Sequence, residues 1–333
     1  MNARPHPASV LYQGLSNQKP LPALSACEHF AGSEKLIAKA FTLQSELGPI
    51  FDITCDCEDG AAPGQEHQHA EMIAARIMGD DNRHGRAGAR IHDVTHASWR
   101  DDLRTIVGKA GKRLAYIVLP KVRGVDDVLS QISALREIQV EHAIPGTIPV
   151  HVLIETPAAL REAWQIAALP GVESLDFGLM DYVSAHHGAL PASAMRSPGQ
   201  FEHPLIVRAK CEIVIAALGN GIIPTHNVSV ELRDAELVRG DARRARQGFG
   251  FLRMWSIHPN QIRPIVEAMR PDFTEVSEAA EIIIAAQDAD WGPIQHAGKL
   301  HDRASFRYYW DLLRRAHSYG MALPEDAQER FFD

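Results

Sequence analysis

The stretch from His151 to Asp181 constrains the fold of this chain more than any other. It reads HVLIETPAALREAWQIAALPGVESLDFGLMD. Two largely apolar runs, at residues 150–154 and 175–180, predict buried strands, and apolar residues at helical spacing predict one helix over residues 157–170. Strand, helix and strand in this order form a parallel β-α-β unit. Parallel sheets bury both faces, which explains why the two strands show little alternation of polar and apolar residues.

Each of the two apolar runs stops at an acid, Glu155 for the first and Asp181 for the second. In α/β folds the carboxyl ends of parallel strands form the edge at which sites are built. Two carboxylates at that edge repel each other unless a cation lies between them, and a hard divalent ion prefers oxygen ligands. The pair therefore predicts a site for Mg²⁺, with Mn²⁺ as a second possibility. The alternative is that each carboxylate caps the following helix or pairs with a nearby arginine.

Eight strand candidates, each followed by a helical pattern, occur across about 250 residues, which is the size and order of a TIM (β/α)8 barrel. A doubly wound sheet is the alternative, but no glycine-rich phosphate-binding turn follows any of the strands. We predict an N-terminal arm at residues 1–20, the barrel at 21–273 and a C-terminal helical extension at 274–333. About twenty residues after Asp181 predict a long loop that forms a lid or a wall of the site. The strand candidates lie at residues 50–57, 87–91, 114–119, 150–154, 175–180 and 253–257, and within 22–30 and 221–230.

Composition narrows the class of protein. A net charge of −8 with interspersed signs argues against nucleic acid or an anionic membrane as the main partner. The chain has no apolar run of about 18 residues and no signal-peptide pattern at its N-terminus, so we expect no membrane span. Its four cysteines form no CxxC pair, which indicates reduced thiols and a cytoplasmic protein. The 17 histidines form neither HExxH nor a ladder with cysteine, so the sequence predicts no zinc site.

On a barrel, the strand ends would gather several charged side chains around one axis. A hard cation beside an arginine suits a small 2-oxo acid, because the metal chelates its carboxylate and carbonyl while the arginine holds an oxygen. The metal would then stabilise the enolate that forms when a carbon–carbon bond next to a carbonyl is made or broken. The alternatives are an ion pair of the arginine with a neighbouring acid, a solvated lysine and a structural histidine. The charged and polar side chains predicted at the strand ends are Glu58, Asp59, Arg90, His92, Lys121, Glu155, Asp181 and His258.

Six motifs in this order resemble the citrate lyase β-subunit and HpcH/HpaI aldolase family, which includes the malyl-CoA lyases. They are DITCDCEDGAAP, GARIHD, YIVLPKV, LIETPAAL, FGLMD and SIHPNQI, and a weaker match, GKLHD, lies at residues 298–302. The resemblance implies a barrel and Mg²⁺ held by Glu155 and Asp181. It also implies that Arg90 binds the substrate, that Glu58 and Asp59 organise the metal waters and the catalytic site, and that Gly178, Leu179 and Met180 contact the substrate.

The resemblance further implies a Mg²⁺-dependent carbon–carbon lyase or aldolase. It would cleave a 3-hydroxyacyl thioester, such as a CoA thioester, or a hydroxy acid, with oxaloacetate, glyoxylate or pyruvate as one product. The alternative is a non-catalytic or carrier-dependent subunit that needs acyl-carrier and transferase subunits for turnover. The chain departs from the family pattern at five places. His92 replaces an Asn, His226 and Asn227 an Asp, Arg253 and Met254 a Gly-Lys pair, and Ala297 an Asp, and the early segment CEHFAGSEK at residues 27–35 lacks the usual Arg.

The C-terminal extension is expected to act in assembly. Ile282, Ile283, Ala286, Trp310, Leu312 and Leu313 give it more apolar surface than a solvated tail should carry. In the resembling family this segment reaches a neighbouring subunit of a homotrimer or hexamer, which would bring Lys299 or Asp302 near that subunit's barrel mouth. The alternative is a helix that packs on its own barrel.

Overall fold

Eight parallel strands close into a barrel in the computed structural model, which describes residues 4–13 and 20–333. Each strand pairs with the next one along the chain, and the first pairs with the eighth, Cys27 lying opposite Met254. The TIM-barrel prediction is therefore confirmed. The strands are β1 (Cys27–Ala31), β2 (Phe51–Asp56), β3 (Ala87–Arg90), β4 (Ile117–Leu119), β5 (Val150–Ile154), β6 (Val172–Phe177), β7 (Ile223–His226) and β8 (Arg253–Ser256).

Helices follow the strands in the alternating order that a barrel requires. They are α1 (Pro7–Leu11), α2 (Glu34–Leu47), α3 (Glu66–Met78), α4 (Trp99–Ala110), α5 (Val125–Glu141), α6 (Pro157–Arg161), α7 (Ala163–Ala167), α8 (Leu179–Ser184), α9 (Pro204–Gly219), α10 (Ala235–Arg244), α11 (Pro259–Met269), α12 (Phe273–Asp288), α13 (Arg303–Ser318) and α14 (Glu325–Phe331). None of the described helices is long and apolar enough to cross a bilayer.

The sixth strand lies earlier than predicted. The apolar run at residues 175–180 predicts a strand up to Met180, but β6 ends at Phe177 and the chain turns at Gly178 into α8. The turn brings the Gly178 backbone against Glu155, since a Cβ at position 178 would lie 2.2 Å from Glu155 Oε2. Leu179 and Asp181 therefore belong to a short helix, and Asp181 does not directly follow a strand.

The helix predicted over residues 157–170 is two short helices, α6 and α7, which meet at Glu162. Glu162 has φ −106° and ψ 13°, and its Oε2 accepts a hydrogen bond from Val125 N at 2.8 Å. The carboxylate thereby caps the N-terminus of α5, where backbone N–H groups lack partners within the helix. The break thus stabilises a neighbouring helix.

The long loop predicted after Asp181 is an ordered segment. It contains the end of α8 and two short 3-10 helices, Ala192–Met195 and Gly199–Phe201. Leu190, Ala194 and Phe201 are buried in it. Because three of its apolar side chains are buried, this segment packs against the rest of the protein and is not an open loop. A role as a wall or lid of the site stays a prediction.

The barrel interior holds charged side chains in addition to apolar ones. Arg253 on β8 contacts Glu28 at 2.8 Å and also donates a hydrogen bond to Asp52, and all three side chains are almost completely inaccessible to solvent. Thr54 donates to Glu28, and its hydroxyl lies 2.8 Å from Tyr116 Oη. Contacts between opposite charges and between hydroxyl and carboxylate groups thus offset part of the cost of burying this layer.

The chain divides into two compact units, residues 24–269 with the barrel and residues 1–23 together with 270–333. In the second unit, α12, α13 and α14 pack around an apolar core that includes Leu11 of α1. The described part of the predicted arm, residues 4–13, thus contains a helix, and residues 1–3 and 14–19 lie outside the described residues. A two-stranded antiparallel hairpin, β9 (Ile294–His296) and β10 (Lys299–His301), completes the unit.

The apolar side chains of the C-terminal extension from which a role in assembly was inferred are covered within this unit. Ile282, Ile283, Ala286, Trp310 and Leu313 are at most 2% exposed and form its core. They therefore do not leave the excess apolar surface from which we inferred a role in assembly. Asp302 caps α13 through Ala304 N at 3.0 Å. Assembly into trimers or hexamers stays a prediction.

Candidate active site

The predicted site residues follow four strands, β2, β3, β5 and β6, at the carboxyl end of the barrel. Arg90 is the last residue of β3, Glu155 follows β5, and Glu58 and Asp59 lie in the turn after β2. Asp181 lies in the first turn of α8, four residues after the end of β6. The electrostatic influence of Arg90, Glu58 and Asp181 reaches Glu155, which shows that the structure brings these groups together.

Arg90 is held by an acid that the sequence analysis missed. Its Nε donates to Asp56 Oδ1 at 2.7 Å and its Nη2 to Asp56 Oδ2 at 2.6 Å, while Nη1 lies 3.2 Å from Glu58 Oε2. Asp56 pairs with Arg90 in the register of β2 and β3. Alternate residues of a strand share one face, so the spacing of Asp56 and Glu58 was a usable signal for both acids.

The bidentate pair leaves part of the guanidinium available. Of its five N–H donors two bond Asp56, so the remaining groups on Nη1 and Nη2 can still reach a ligand. Burial alone would raise the pKa of Asp56, but the Arg90 charge and hydrogen bonds lower it below its usual value. Burial likewise lowers the pKa of Arg90, and the charges of Asp56 and Glu58 reverse this and raise it.

Lys121, two residues after β4, connects three of the acids. Its backbone N donates to Glu155 Oε1, its Nζ donates to Asp59 at 2.9 Å, and the same ammonium contacts Glu58. The backbone of Lys121 has φ +48°, a left-handed conformation that is uncommon for a residue with a side chain. Lys121 is therefore part of the site and not a solvated loop charge.

Glu155 is a buried carboxyl group beside a second acid, Asp181. Its side chain is buried, and burial together with the charge of Asp181 raises its pKa to about 8. Lys121 N occupies only Oε1, and the Asp181 side chain has no hydrogen-bond partner among residues 4–13 and 20–333. Two oxygen donors that repel each other fit a hard divalent cation, which would restore the charged state of Glu155.

Glu58 has a raised pKa. Burial is the main cause and the neighbouring Asp59 adds to it, while Arg90 and Lys121 act in the opposite direction. Its Oε2 is buried without a hydrogen-bond partner in the described structure. The side chain of Asp59 is 57% exposed and contacts Lys121. Glu58 is thus the buried member of the acidic pair and Asp59 the solvated one.

Two histidines at other strand ends, His258 and His226, make structural contacts. His258 Nδ1 accepts a hydrogen bond from Asn260 N at 3.2 Å at the start of α11, as the helix-start alternative predicts. His226 at the end of β7 is buried, and its Nε2 lies 2.7 Å from the Nζ of the buried Lys210. Both therefore stabilise the fold beside the site.

A second group of possible metal ligands lies inside the barrel. Glu28, His151 and Asp176 bring ligand atoms within 4.8 Å of one another. Burial lowers the pKa of His151, but its contacts with Glu173 and Glu28 raise it to about 9, so the ring is charged at neutral pH. His151 and Arg253 lie beside Glu28 and supply positive charge to this group, so the carboxylates there have cationic partners from the protein itself.

The comparisons with known proteins agree with this geometry. The family model for HpcH/HpaI aldolase/citrate lyase matches residues 51–259. L-malyl-CoA/β-methylmalyl-CoA lyase of Cereibacter sphaeroides is 29% identical over 278 residues, which covers 79% of this chain and 86% of the relative. Such relatives are lyases, which supports carbon–carbon lyase activity.

Two solved structures extend the comparison. A citrate lyase from Burkholderia xenovorans is 53% identical, with a TM-score of 0.86 over 95% of this chain and 98% of that one. The CitE protein of Mycobacterium tuberculosis, in complex with magnesium, acetoacetate and coenzyme A, is 21% identical and shares the fold, with a TM-score of 0.67 over 89% of this chain and 99% of that one. The chain belongs to the HpcH/HpaI aldolase/citrate lyase family.

Proposed function

We propose that this chain is a Mg²⁺-dependent carbon–carbon lyase that cleaves a 3-hydroxyacyl-CoA thioester. A hydroxy acid is the alternative substrate, and an oxo acid such as oxaloacetate, glyoxylate or pyruvate would be one product. The observation that carries the proposal is the buried Glu155 close to Asp181: burial, and then the charge of Asp181, raise the pKa of Glu155 to about 8. The C. sphaeroides relative supports a CoA thioester, and the M. tuberculosis complex supports magnesium with an oxo acid.

In this proposal Glu155 and Asp181 hold the metal, with Mn²⁺ as a possible substitute. The bound ion supplies the positive charge that polarises a carbonyl oxygen. Arg90 binds a carboxylate oxygen through the N–H groups that Asp56 leaves available, and the pair with Asp56 holds the guanidinium in one orientation. Pre-positioned groups of this kind lower the barrier because they need not reorganise during the reaction.

Glu58 is the candidate for proton exchange with the substrate. A carboxylate with a raised pKa is a better base at neutral pH than an ordinary one. Lys121 and Asp59 would fix its position, since Lys121 contacts both acids. The substrate contacts assigned to Gly178, Leu179 and Met180, the trimeric or hexameric assembly, carrier or transferase partners and the cytoplasmic location stay predictions.

Two measurements test the proposal. Purified protein with Mg²⁺ is screened for turnover of malyl-CoA, citramalyl-CoA, citryl thioesters and 4-hydroxy-2-oxo acids, and Mg²⁺ affinity is measured by calorimetry. Glu155→Ala and Asp181→Ala should abolish Mg²⁺ binding and turnover while circular dichroism stays unchanged. Unchanged Mg²⁺ affinity in both variants would reject the metal pair. Mg²⁺ and oxo-acid binding without turnover of any substrate would favour a carrier-dependent subunit.

The role of Arg90 is tested with oxalate, a planar analogue of the oxo acid. Arg90→Lys keeps the positive charge but loses the planar guanidinium that can donate two parallel hydrogen bonds to one carboxylate. Loss of a charge-assisted hydrogen bond costs about 1.5–3 kcal/mol. Oxalate affinity should therefore fall by about tenfold or more. An unaltered affinity would mean that Arg90 serves only its ion pairs with Asp56 and Glu58.

A further inference from the structure

A small cavity opens directly beside Glu58. It has a volume of about 70 Å³, and Glu58, Glu66, His69, His92 and His96 are among its lining residues. Since a water molecule occupies about 30 Å³, the cavity accommodates one small polar group and not a whole ligand. Ala62, Pro63 and His69 also line an open groove of about 580 Å³, so a longer molecule in the groove can place one group in the cavity.

His92 is the most firmly positioned of the three histidines. Its Nδ1 lies 2.7 Å from Asp102 Oδ2, and the same oxygen accepts a hydrogen bond from the backbone N of His92 at 3.0 Å. Asp102 is completely buried. The ring stacks on His96 with 3.9 Å between centroids and 12° between planes. Both the position and the plane of the ring are thus fixed.

The other ring nitrogen is available to a ligand. His92 Nε2 has no hydrogen-bond partner within the described residues, and the side chain is 12% exposed where it lines the cavity. Burial lowers the pKa of His92, but Asp102 outweighs this, and Glu58 and Glu66 act in the same direction, so the pKa is raised. His69 and His96 also face this cavity. With Nδ1 directed at a carboxylate, Nε2 carries a proton and acts as a donor whenever the ring is protonated.

We propose that His92 Nε2 donates a hydrogen bond to the acyl oxygen of the substrate, which lies in the cavity beside Glu58. This inference rests on the proposed lyase function and identifies the residue that binds the acyl end. When the carbon–carbon bond breaks, Glu58 takes the proton of the substrate hydroxyl, and the carbon that carried it becomes the carbonyl of the oxo-acid product. The electron pair of the broken bond moves towards the acyl carbonyl, whose oxygen becomes an enolate oxygen. A fixed N–H donor stabilises that charge more strongly than it stabilises the neutral carbonyl. No proton leaves His92 in this step.

Two substitutions separate the two nitrogens of the ring. His92→Asn places an amide nitrogen near the position of Nδ1, so it can still bond Asp102 but has no donor towards the cavity. His92→Gln places its amide nitrogen near the position of Nε2 and keeps an uncharged donor there. His67→Asn is the matched control, because His67 Nδ1 also lies 2.7 Å from an aspartate, Asp101, but on the surface.

The expected result is a loss of kcat with little change in KM. Removal of one donor to a developing oxyanion lowers kcat by about 10²–10³-fold. We expect that fall in His92→Asn, a clearly smaller one in His92→Gln, and less than a twofold change in His67→Asn. The wild-type rate should fall as the pH rises and His92 loses its charge, whereas His92→Gln should lack this dependence. Full activity in His92→Asn, or no advantage of His92→Gln over His92→Asn, would overturn the assignment.

A binding measurement separates this inference from the proposed function. The imidazole nitrogens of the wild-type protein are labelled with ¹⁵N, and the His92 signals are identified by their loss in His92→Asn. Addition of acetyl-CoA with Mg²⁺ should shift the Nε2 signal of His92 and leave that of His67 unchanged. If no substrate is turned over, the lyase proposal fails, and this shift still supports the contact. An unmoved His92 signal in protein that binds acetyl-CoA would overturn it.

Discussion

The substitution Gly178→Ala tests whether the close approach of two strand ends builds the proposed metal site. Gly178 has φ −90° and ψ 81°, a negative φ that residues with side chains also adopt, so its backbone angle is not the reason for a glycine there. A Cβ at this position would lie 2.2 Å from Glu155 Oε2 and 2.4 Å from Glu155 Cβ. The carboxylate could rotate away, but the Cβ of Glu155 is fixed to the backbone after β5.

The expected cost follows from the overlap. Ordinary carbon–carbon contacts begin at about 3.5 Å, so the new methyl group overlaps Glu155 Cβ by roughly 1 Å. Overpacking of this kind typically costs about 1–3 kcal/mol. Since the strain lies on Glu155 itself, its carboxylate must move relative to Asp181. We therefore expect Mg²⁺ affinity to fall at least tenfold, which corresponds to about 1.4 kcal/mol.

Urea unfolding and Mg²⁺ calorimetry are the assays, and Gly240→Ala is the control. Gly240 lies inside α10, and a Cβ there would meet no atom within 4 Å apart from its chain neighbours and the backbone of its own helix. Alanine at such a helical position should stabilise the protein by about 0.5–1 kcal/mol and leave Mg²⁺ affinity unchanged. Wild-type stability together with wild-type Mg²⁺ affinity in Gly178→Ala would refute the steric argument.

Three further predictions follow from the ion pairs and the backbone. Asp56→Asn breaks the buried pair with Arg90 and should lower the free energy of unfolding by about 3–5 kcal/mol in urea titrations. Because the pKa of Asp56 is lowered in the folded protein, the stability difference between wild type and Asp56→Asn should be complete above the usual aspartate pKa. It should shrink as the pH falls through the lowered pKa of Asp56. A stability difference that grows in acid would contradict the pairing. For Glu155 the pH dependence of stability has the opposite sign, because its pKa is raised to about 8 in the folded protein. In EDTA, the free energy of unfolding of the wild type should therefore fall by a few kcal/mol relative to that of Glu155→Gln between about pH 4 and pH 8, at about 1.36 kcal/mol per pKa unit. Parallel stability curves of the two proteins would exclude this. Lys121→Gly should be more stable than Lys121→Ala by about 1 kcal/mol in the same titrations, because glycine adopts φ +48° without strain and alanine does not. Equal stabilities of the two variants would show that the backbone at residue 121 relaxes.

The ends of the barrel strands were predictable from the sequence where a charged residue or a proline directly follows the apolar run. For β5 the predicted and observed bounds agree, because the apolar run stops at Glu155 and a proline at 157 starts the next helix. For β6 the apolar run continues through Gly178 to Met180, but the strand does not. The turn at Gly178 depends on the position of Glu155 in a neighbouring strand, and periodicity within one segment carries no information about that contact.

The C-terminal extension illustrates the same limit at longer range. Its apolar residues were correctly recognised, but their number does not reveal which surface covers them. In the structure they cover one another, and Leu11, more than 260 residues earlier in the chain, contributes to the same core. The sequence of an apolar segment therefore indicates that its side chains are buried, but not which other part of the protein or which partner covers them.

Arg90 shows why a site residue can be predicted while its neighbours are missed. The sequence offered two alternatives for it, substrate binding and an ion pair with Glu58 or Asp59. The structure adds Asp56, which lies opposite Arg90 in the register of β2 and β3 and bonds it through Nε and Nη2. Because a guanidinium has donors on more than one edge, the ion pair and substrate binding do not compete, and the pair holds the free edge in place. A structural role for Arg90 is thus a condition of its proposed function.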